Sequence, residues 1–173
     1  MDDSGNKKVL VTGSSGFIGS HVVREFINLG YEVVGVSRSE QGGSHVMRDI
    51  SGDTDWSDVL EDIDIVIHCA AAVHQMELSE NVLNSYQRLN VDGTLNLAEQ
   101  AKASVKRFIF LSTIKVNGEE TFDKIFFADD VPNPIDSYGR SKERAEAGLR
   151  EIAQSSKMEI VIIRPPLVYG EGV

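Results

Sequence analysis

Tyr138 and Lys142 lie four residues apart at the start of a predicted helix, so both side chains project from one face. A phenol with a pKa of about 10 is a poor base at neutral pH. A neighbouring ammonium and a positive helix N-terminus both favour the phenolate. The pair is then able to take or give a proton at an alcohol or sugar hydroxyl. Two solvated surface residues would show the same spacing. Thr113, at the carboxyl end of a predicted strand, adds a hydroxyl for positioning. A second constellation sits near the amino end, where Gly13, Gly16 and Gly19 separate the apolar run Val9 to Val11 from an amphipathic helix starting at Phe17. Unpaired N–H groups and the helix dipole make such a junction an anion site. Gly13 permits the tight turn, Gly16 lets a pyrophosphate approach the backbone, and Gly19 lets helix and strand pack closely. A bare glycine triplet would equally fit a structural turn. The setting between a buried strand and an amphipathic helix favours the phosphate site, with Gly13, Ser15, Gly16, Phe17, Ile18 and Gly19 as its residues.

These residues need a frame, and strands and helices alternate along the whole chain. That alternation predicts an α/β fold with a parallel sheet of about six strands and helices on both faces. The helix after the glycines carries Ile18, Val22, Val23, Phe26, Ile27 and Leu29 as its apolar stripe and ends at Gly30. The second strand, Glu32 to Val36, runs into Ser37-Arg38. No carboxylate follows until Glu40, so Ser37 and Arg38 suit a 2′-phosphate, and NADP is favoured over NAD. A solvated turn arginine is the alternative. Gln41 to Ser44 reads as a flexible loop and His45 to Arg48 as a short strand. Asp53 or Thr54 is positioned to cap a helix over Asp55 to Asp62, with Trp56, Val59 and Leu60 inward. The strand Ile65 to His68 leads into Cys69-Ala70-Ala71-Ala72, small residues that suit either a close cofactor or tight packing. Cys69 reads as a small hydrophobe rather than a nucleophile. Val73 to Asn84 is ambiguous. A long helix is expected from about Ser85 to Lys102, its stripe interrupted by Asn90 and Asp92. After the strand Arg107 to Leu111, an acidic loop of over twenty residues, with Phe122, Phe126 and Phe127, reaches Asp136. Ser137 or Asp136 caps a helix to about Ser155, and a last strand covers Ile160 to Ile163.

At 173 residues the chain fits one domain that buries about 70% of its unfolded surface. A net charge of −10 excludes a nucleic-acid backbone as partner, so an anionic ligand must rely on local N–H groups or single cations. A single cysteine excludes an internal disulfide, and the four histidines show no metal-ligand spacing. No apolar run reaches membrane-spanning length, and residues 1–8 lack the apolar region of a signal peptide. A cytoplasmic enzyme or binding domain is expected.

Taken in order, Thr12-Gly13-x-x-Gly16-x-x-Gly19, Asp49-Ile50, His68-Cys69-Ala70-Ala71-Ala72, Asn90-Val91-Asp92-Gly93-Thr94, Leu111-Ser112-Thr113, Tyr138-Gly139-Arg140-Ser141-Lys142 and Arg164-Pro165-Pro166-x-Val168-Tyr169-Gly170 cover nearly the whole chain. In these motifs the chain resembles the extended short-chain dehydrogenases/reductases, within the NAD(P)-dependent nucleotide-sugar epimerase/dehydratase family. The resemblance implies a doubly wound Rossmann domain over residues 1–173, disordered at 1–7, with a smaller C-terminal substrate domain missing. It implies that Asp49 and Ile50 contact the adenine end, Ala70, Ala71 and Ala72 line the cofactor, and Pro165 backs the nicotinamide. By the same resemblance Thr113 orients the substrate hydroxyl, with Ser112 as substitute if the register slips by one. Tyr138 is then the general acid/base, Lys142 binds the nicotinamide ribose and Asn90 supports the site. Family 4,6-dehydratases carry Asp-Glu directly after the catalytic Thr, where this chain has Ile114-Lys115, so dehydration is disfavoured. Hydride transfer at C4 of a nucleotide-linked sugar is expected, as 4-epimerase or 4-ketoreductase. Ile114 to Gly118 resembles homologues of surface-polysaccharide pathways, and the family implies a homodimer through the helices Ser85–Lys102 and Ser137–Ser155. A silent dinucleotide-binding scaffold is the alternative of another class. A chain ending at Val173 is expected to bind NADP(H) without appreciable turnover.

Overall fold

The computed structural model describes residues 7–39, 44–73, 79–121, 124–170 and 172. Residues 1–6, Glu40 with the loop at 41–43, residues 74–78 of the ambiguous stretch, and Phe122 and Asp123 of the acidic loop lie outside them. Strands β1 (Lys8–Thr12), β2 (Glu32–Ser37), β3 (His45–Met47), β4 (Ile65–His68), β5 (Arg107–Leu111) and β6 (Glu159–Ile163) form one sheet. Its order is β3-β2-β1-β4-β5-β6, parallel throughout. The order reverses between β1 and β4, so a crevice opens above their carboxyl ends.

The apolar runs form strands because both faces are covered. In β1, Leu10 joins Val66, Phe108 and Phe110 in a core shared with Trp56, Leu97 and Leu149. Val9 and Val11 turn the other way, onto Val22, Val23 and Phe26 of α1 (Phe17–Asn28). Burying one such side chain contributes about 1.5–3 kcal/mol. Helix α1 ends as expected. Gly30 takes φ 83°, its N–H donates to the Ile27 carbonyl, and the Tyr31 N–H donates to that of Phe26, whose ring meets Tyr31 edge-on. Ile27 and Leu29, read as part of the apolar stripe, are exposed.

Two helices differ from the sequence reading. Asp55 to Asp62 forms turns, although Trp56, Val59 and Leu60 are buried as expected. Side chains from the next helix take over this backbone: Asn96 donates to the Ser51 and Thr54 carbonyls, and Gln100 binds the Thr54 carbonyl and the Trp56 N–H. Thr54 caps no helix; its hydroxyl accepts from Ser51 N–H and donates to the Asp49 carbonyl. The expected helix from Ser85 to Lys102 starts earlier and is interrupted. It comprises α2 (Glu80–Ser85), a π-helical segment (Tyr86–Gly93) and α3 (Thr94–Ala101). Asn90 is buried within the π-helical segment. The last helix, α4 (Ser137–Ser155), is capped by Asp136, which accepts from the Gly139 N–H at 2.6 Å.

Candidate functional site

The glycine turn is built around its own backbone. Gly13 takes φ 68°, and the Ser14 N–H donates to the Val36 carbonyl, tying the turn to β2. A Cβ on Gly13 would lie 2.8 Å from the Ala70 nitrogen, and one on Gly19 would lie 2.1 Å from the Gly13 oxygen. Those two glycines are required by packing. Gly16 differs, since a Cβ there would meet only the Gly13 oxygen, at 3.2 Å. Its open side faces the start of α1, whose first turn has no side-chain cap and no acidic residue. The turn therefore has the unblocked N–H groups and close approach that a phosphate needs.

From there a cleft of about 330 Å³ runs across the strand ends. Gly13, Ser15, Gly16, Phe17, Ile18 and Gly19 line its first part. Ser37 and Arg38 follow from the end of β2, and Asp49 and Ile50 from beyond β3. Ala70 and Ala71 close it after β4. Sequence reading missed Arg48, Val73 and Leu89, which also line the cleft. Arg48 is tied to both carboxylate oxygens of Asp58 and to the Asp55 carbonyl, and Asp49 pairs with Arg88. Cys69 lines the cleft as well, and burial pushes its thiol up to about 11, which fits its reading as a hydrophobe.

Ala72, Asn90, Thr113, Tyr138, Lys142 and Pro165 stand outside that lining, at the β4, β5 and β6 end of the crevice. Asn90 is fully buried and joins two elements. Its Oδ1 accepts from the Ala72 N–H at 2.7 Å, while its Nδ2 donates to the Ala72 carbonyl and the Ser141 hydroxyl, each at 3.0 Å. The loop after β4 is thereby clamped to α4 beside Lys142. Lys142 is 1% exposed, with Nζ 4.1 Å from the Phe110 ring centre. Burial pulls its pKa down to about 7, against weaker support from Cys69 and Glu146. His68 stands beneath, between the Thr12 hydroxyl at 2.7 Å and the Thr94 hydroxyl at 2.9 Å, and burial keeps it neutral with a pKa of about 3.

Residues 9–173 match the NAD dependent epimerase/dehydratase family. The chain belongs to that family. It is 43% identical to UDP-glucose 4-epimerase of Vibrio cholerae over 175 residues, covering 96% of this chain and 53% of the relative. The structure is similar to UDP-glucuronic acid 4-epimerase from Bacillus cereus in complex with NAD, with TM-score 0.82 and 30% identity over 94% of this chain and 57% of that one. It is also similar to UDP-glucose 4-epimerase from Brucella ovis in complex with NAD, with TM-score 0.79 and 30% identity over 91% and 51% of the two chains. The chain spans about half the length of these relatives. No described helix is long and apolar enough to cross a membrane, and the described residues hold no metal-binding cluster.

Within this family fold, two sequence expectations need correction. The Tyr138 phenol is pushed up to about 12, away from the expected phenolate. Burial is the main cause, followed by the Asp136 carboxylate and Tyr86. The cap that starts α4 thus places a negative charge where the bare helix end would be positive. Ser112 is not interchangeable with Thr113. Its hydroxyl donates to buried Glu146 at 2.6 Å, and Glu146 is also gripped by Arg164 and Arg150. Thr113 is half-buried at the start of a 3-10 turn (Ile114–Val116) and accepts from the Lys115 N–H. Pro165 lies beside that turn, its carbonyl accepting from the Ile114 N–H at 2.9 Å. The Glu146–Arg164 pair, which locks the ends of β5 and β6 to α4, was not anticipated. The only sequence signal is Glu146 standing one turn after Lys142.

Proposed function

We propose that this protein interconverts nucleotide-linked sugars by hydride transfer at C4, as a 4-epimerase. The observation that carries the reading is the pairing of an uncapped glycine turn at one end of the strand-end crevice with the Thr113, Tyr138 and Lys142 set at the other. The cofactor fits this chain because Gly16 leaves the cradle open that a Cβ would narrow. In the proposal Gly13, Ser15, Gly16, Phe17, Ile18 and Gly19 hold the pyrophosphate, and Asp49 and Ile50 the adenine. Ala70, Ala71 and Ala72 border the cofactor, Lys142 binds the nicotinamide ribose and Pro165 backs the ring. The nicotinamide supplies a hydride acceptor and donor when bound. Thr113 orients the sugar hydroxyl, Tyr138 moves its proton at Oη, and Asn90 holds the loop and α4 together. The Vibrio cholerae relative is a UDP-glucose 4-epimerase, which supports this chemistry. Incubation of the whole protein with UDP-glucose should yield its C4 epimer, and Tyr138→Phe should lower that turnover at least about 100-fold; intact turnover in that variant would sink the mechanism.

A 4-ketoreductase is the second reading. The protonated Tyr138 phenol is ready to donate to a 4-keto oxygen, and Ser37 and Arg38 border the cleft at the ribose end. This reading takes NADP, with Arg38 on the 2′-phosphate. Fluorescence titration should then show NADPH binding more tightly than NADH, and Arg38→Ala should cost NADPH about tenfold or more; tighter NADH binding returns the assignment to NAD. A cytoplasmic homodimer through the helices at 85–102 and 137–155, serving surface-polysaccharide synthesis, completes the proposal.

A further inference from the structure

Lys115 meets the proposed acid–base helix in three ways. Its N–H donates to the Thr113 hydroxyl at 3.3 Å. Its carbonyl oxygen lies 3.1 Å from where a Cβ on Gly139 would stand, so its backbone packs against the first turn of α4. Its ammonium binds Asp136 Oδ2 at 2.5 Å, while Oδ1 of the same carboxylate caps α4 on the Gly139 N–H. One residue thus fastens the turn that carries Thr113 to the turn that carries Tyr138.

We propose that Lys115 is a positioning residue for Tyr138, acting by neutralising the Asp136 cap and by stapling the Thr113 turn to the start of α4. The inference rests on the proposed role of Tyr138. A carboxylate is the strongest common cap for a helix start, because it accepts from free N–H groups and favours the dipole. It is also the wrong charge beside a phenol that must give up a proton. Asp136 and Tyr138 are two residues apart, and Asp136 raises the phenol's pKa. Lys115 resolves that conflict, because its charge offsets the carboxylate while the capping bond stays in place.

The groups around the phenol fit this arrangement. On its own helix are Asp136 and, one turn on, Lys142. From the π-helical segment comes Tyr86, with its ring 6.0 Å from that of Tyr138. Glu119, 3.5 Å from the Lys115 ammonium, competes weakly for it. Burial lowers the pKa of Lys142, whereas Asp136 raises that of Lys115 and so favours its charged form. The side chains of Lys115 and Asp136 are 30% and 37% exposed, so salt screens the pair in part.

NMR titration of 13Cζ-labelled tyrosine tests this on the chain itself, with the Tyr138 signal assigned from its loss in Tyr138→Phe. Lys115→Met should move the Tyr138 titration to higher pH by about half a unit or more, and high salt should mimic it more weakly. Asp136→Asn keeps a good cap and should move it to lower pH. Lys115→Met/Asp136→Asn should return close to the Asp136→Asn value, and Lys115→Arg should behave as wild type. An unchanged titration in Lys115→Met would overturn the inference. The two readings separate cleanly: if Tyr138→Phe keeps full turnover the proposed function fails, whatever Lys115 does to the phenol.

Discussion

The two ends of the crevice are built from different materials. At the glycine end the working parts are backbone: a turn, a helix start and the absence of Cβ atoms. At the other end they are titratable side chains: the buried His68, Lys142 and Glu146 and the half-buried Tyr138. Backbone N–H groups hold an anion without costing stability in its absence, because water serves them equally well. Buried amines and acids do cost stability, since each must be neutral or paired. The glycine end is therefore cheap to keep folded, and the other end carries the cost of its buried charges. Asn90, Ser112 and Arg164 are the fasteners that offset this, each spanning two or more elements.

The contrast predicts steric sensitivity at one end and charge sensitivity at the other. The largest effect belongs to Gly19→Ala, whose Cβ would lie 2.1 Å from a backbone oxygen that cannot move away. It should cost more than about 4 kcal/mol and abolish nucleotide binding. Gly16→Ala should fold nearly normally and weaken only the binding, as read by thermal unfolding beside NADH fluorescence. Equal damage from both would mean that the turn is packing alone. At the other end, Arg164→Met leaves the fully buried Glu146 carboxylate to Ser112 and the half-exposed Arg150 and should cost about 3 kcal/mol in urea unfolding. Glu146→Met/Arg164→Met should recover much of that loss; if it does not, packing rather than charge explains the site.

How much of this was legible follows the same division. Ile65–His68 and Arg107–Leu111 were read to the residue, and Ser137–Ser155 with its cap left between Asp136 and Ser137, because apolar runs and capping residues are local signals. The glycine turn was legible for the same reason. Asp55 to Asp62 misled, since its helical pattern loses to hydrogen bonds from Asn96 and Gln100 more than forty residues away. The π-helical segment was visible only as an interruption at Asn90 and Asp92, because a regular helical period has no place for one extra residue per turn. Most hidden was the electrostatics. Tyr138 beside Lys142 reads as a phenolate until burial and the Asp136 carboxylate are known.

Lys142 offers a gentler probe. The residue is 1% exposed, with its amine over the Phe110 ring. Lys142→Met should abolish turnover of the whole protein yet stabilise the nucleotide-free chain at pH 7 by about 1–4 kcal/mol, as apolar replacements of buried ionic groups do. A fall in thermal stability would show that the contact with Phe110 outweighs the burial cost.

His68 gives the smallest and most graded effect. Its folded pKa of about 3 lies below the unfolded value of 6.5, and burial is the main cause, with the Lys142 charge second. As pH falls, the unfolded chain takes the proton first. The stability due to neutral His68 is thus complete above pH 6.5 and lost as pH drops toward 3. The slope is about 1.4 kcal/mol for each pH unit. Acidic groups add their own losses below about pH 5, so the useful window lies between there and 6.5. Urea unfolding across that window should show a steep decline for the wild type and a flatter one for His68→Gln, which can still bond Thr12 and Thr94 but cannot titrate. Parallel curves would mean that the folded protein admits a charge beneath Lys142. The reacting end would then tolerate its chemistry as easily as the glycine end holds its anion, and the contrast between the two would fail.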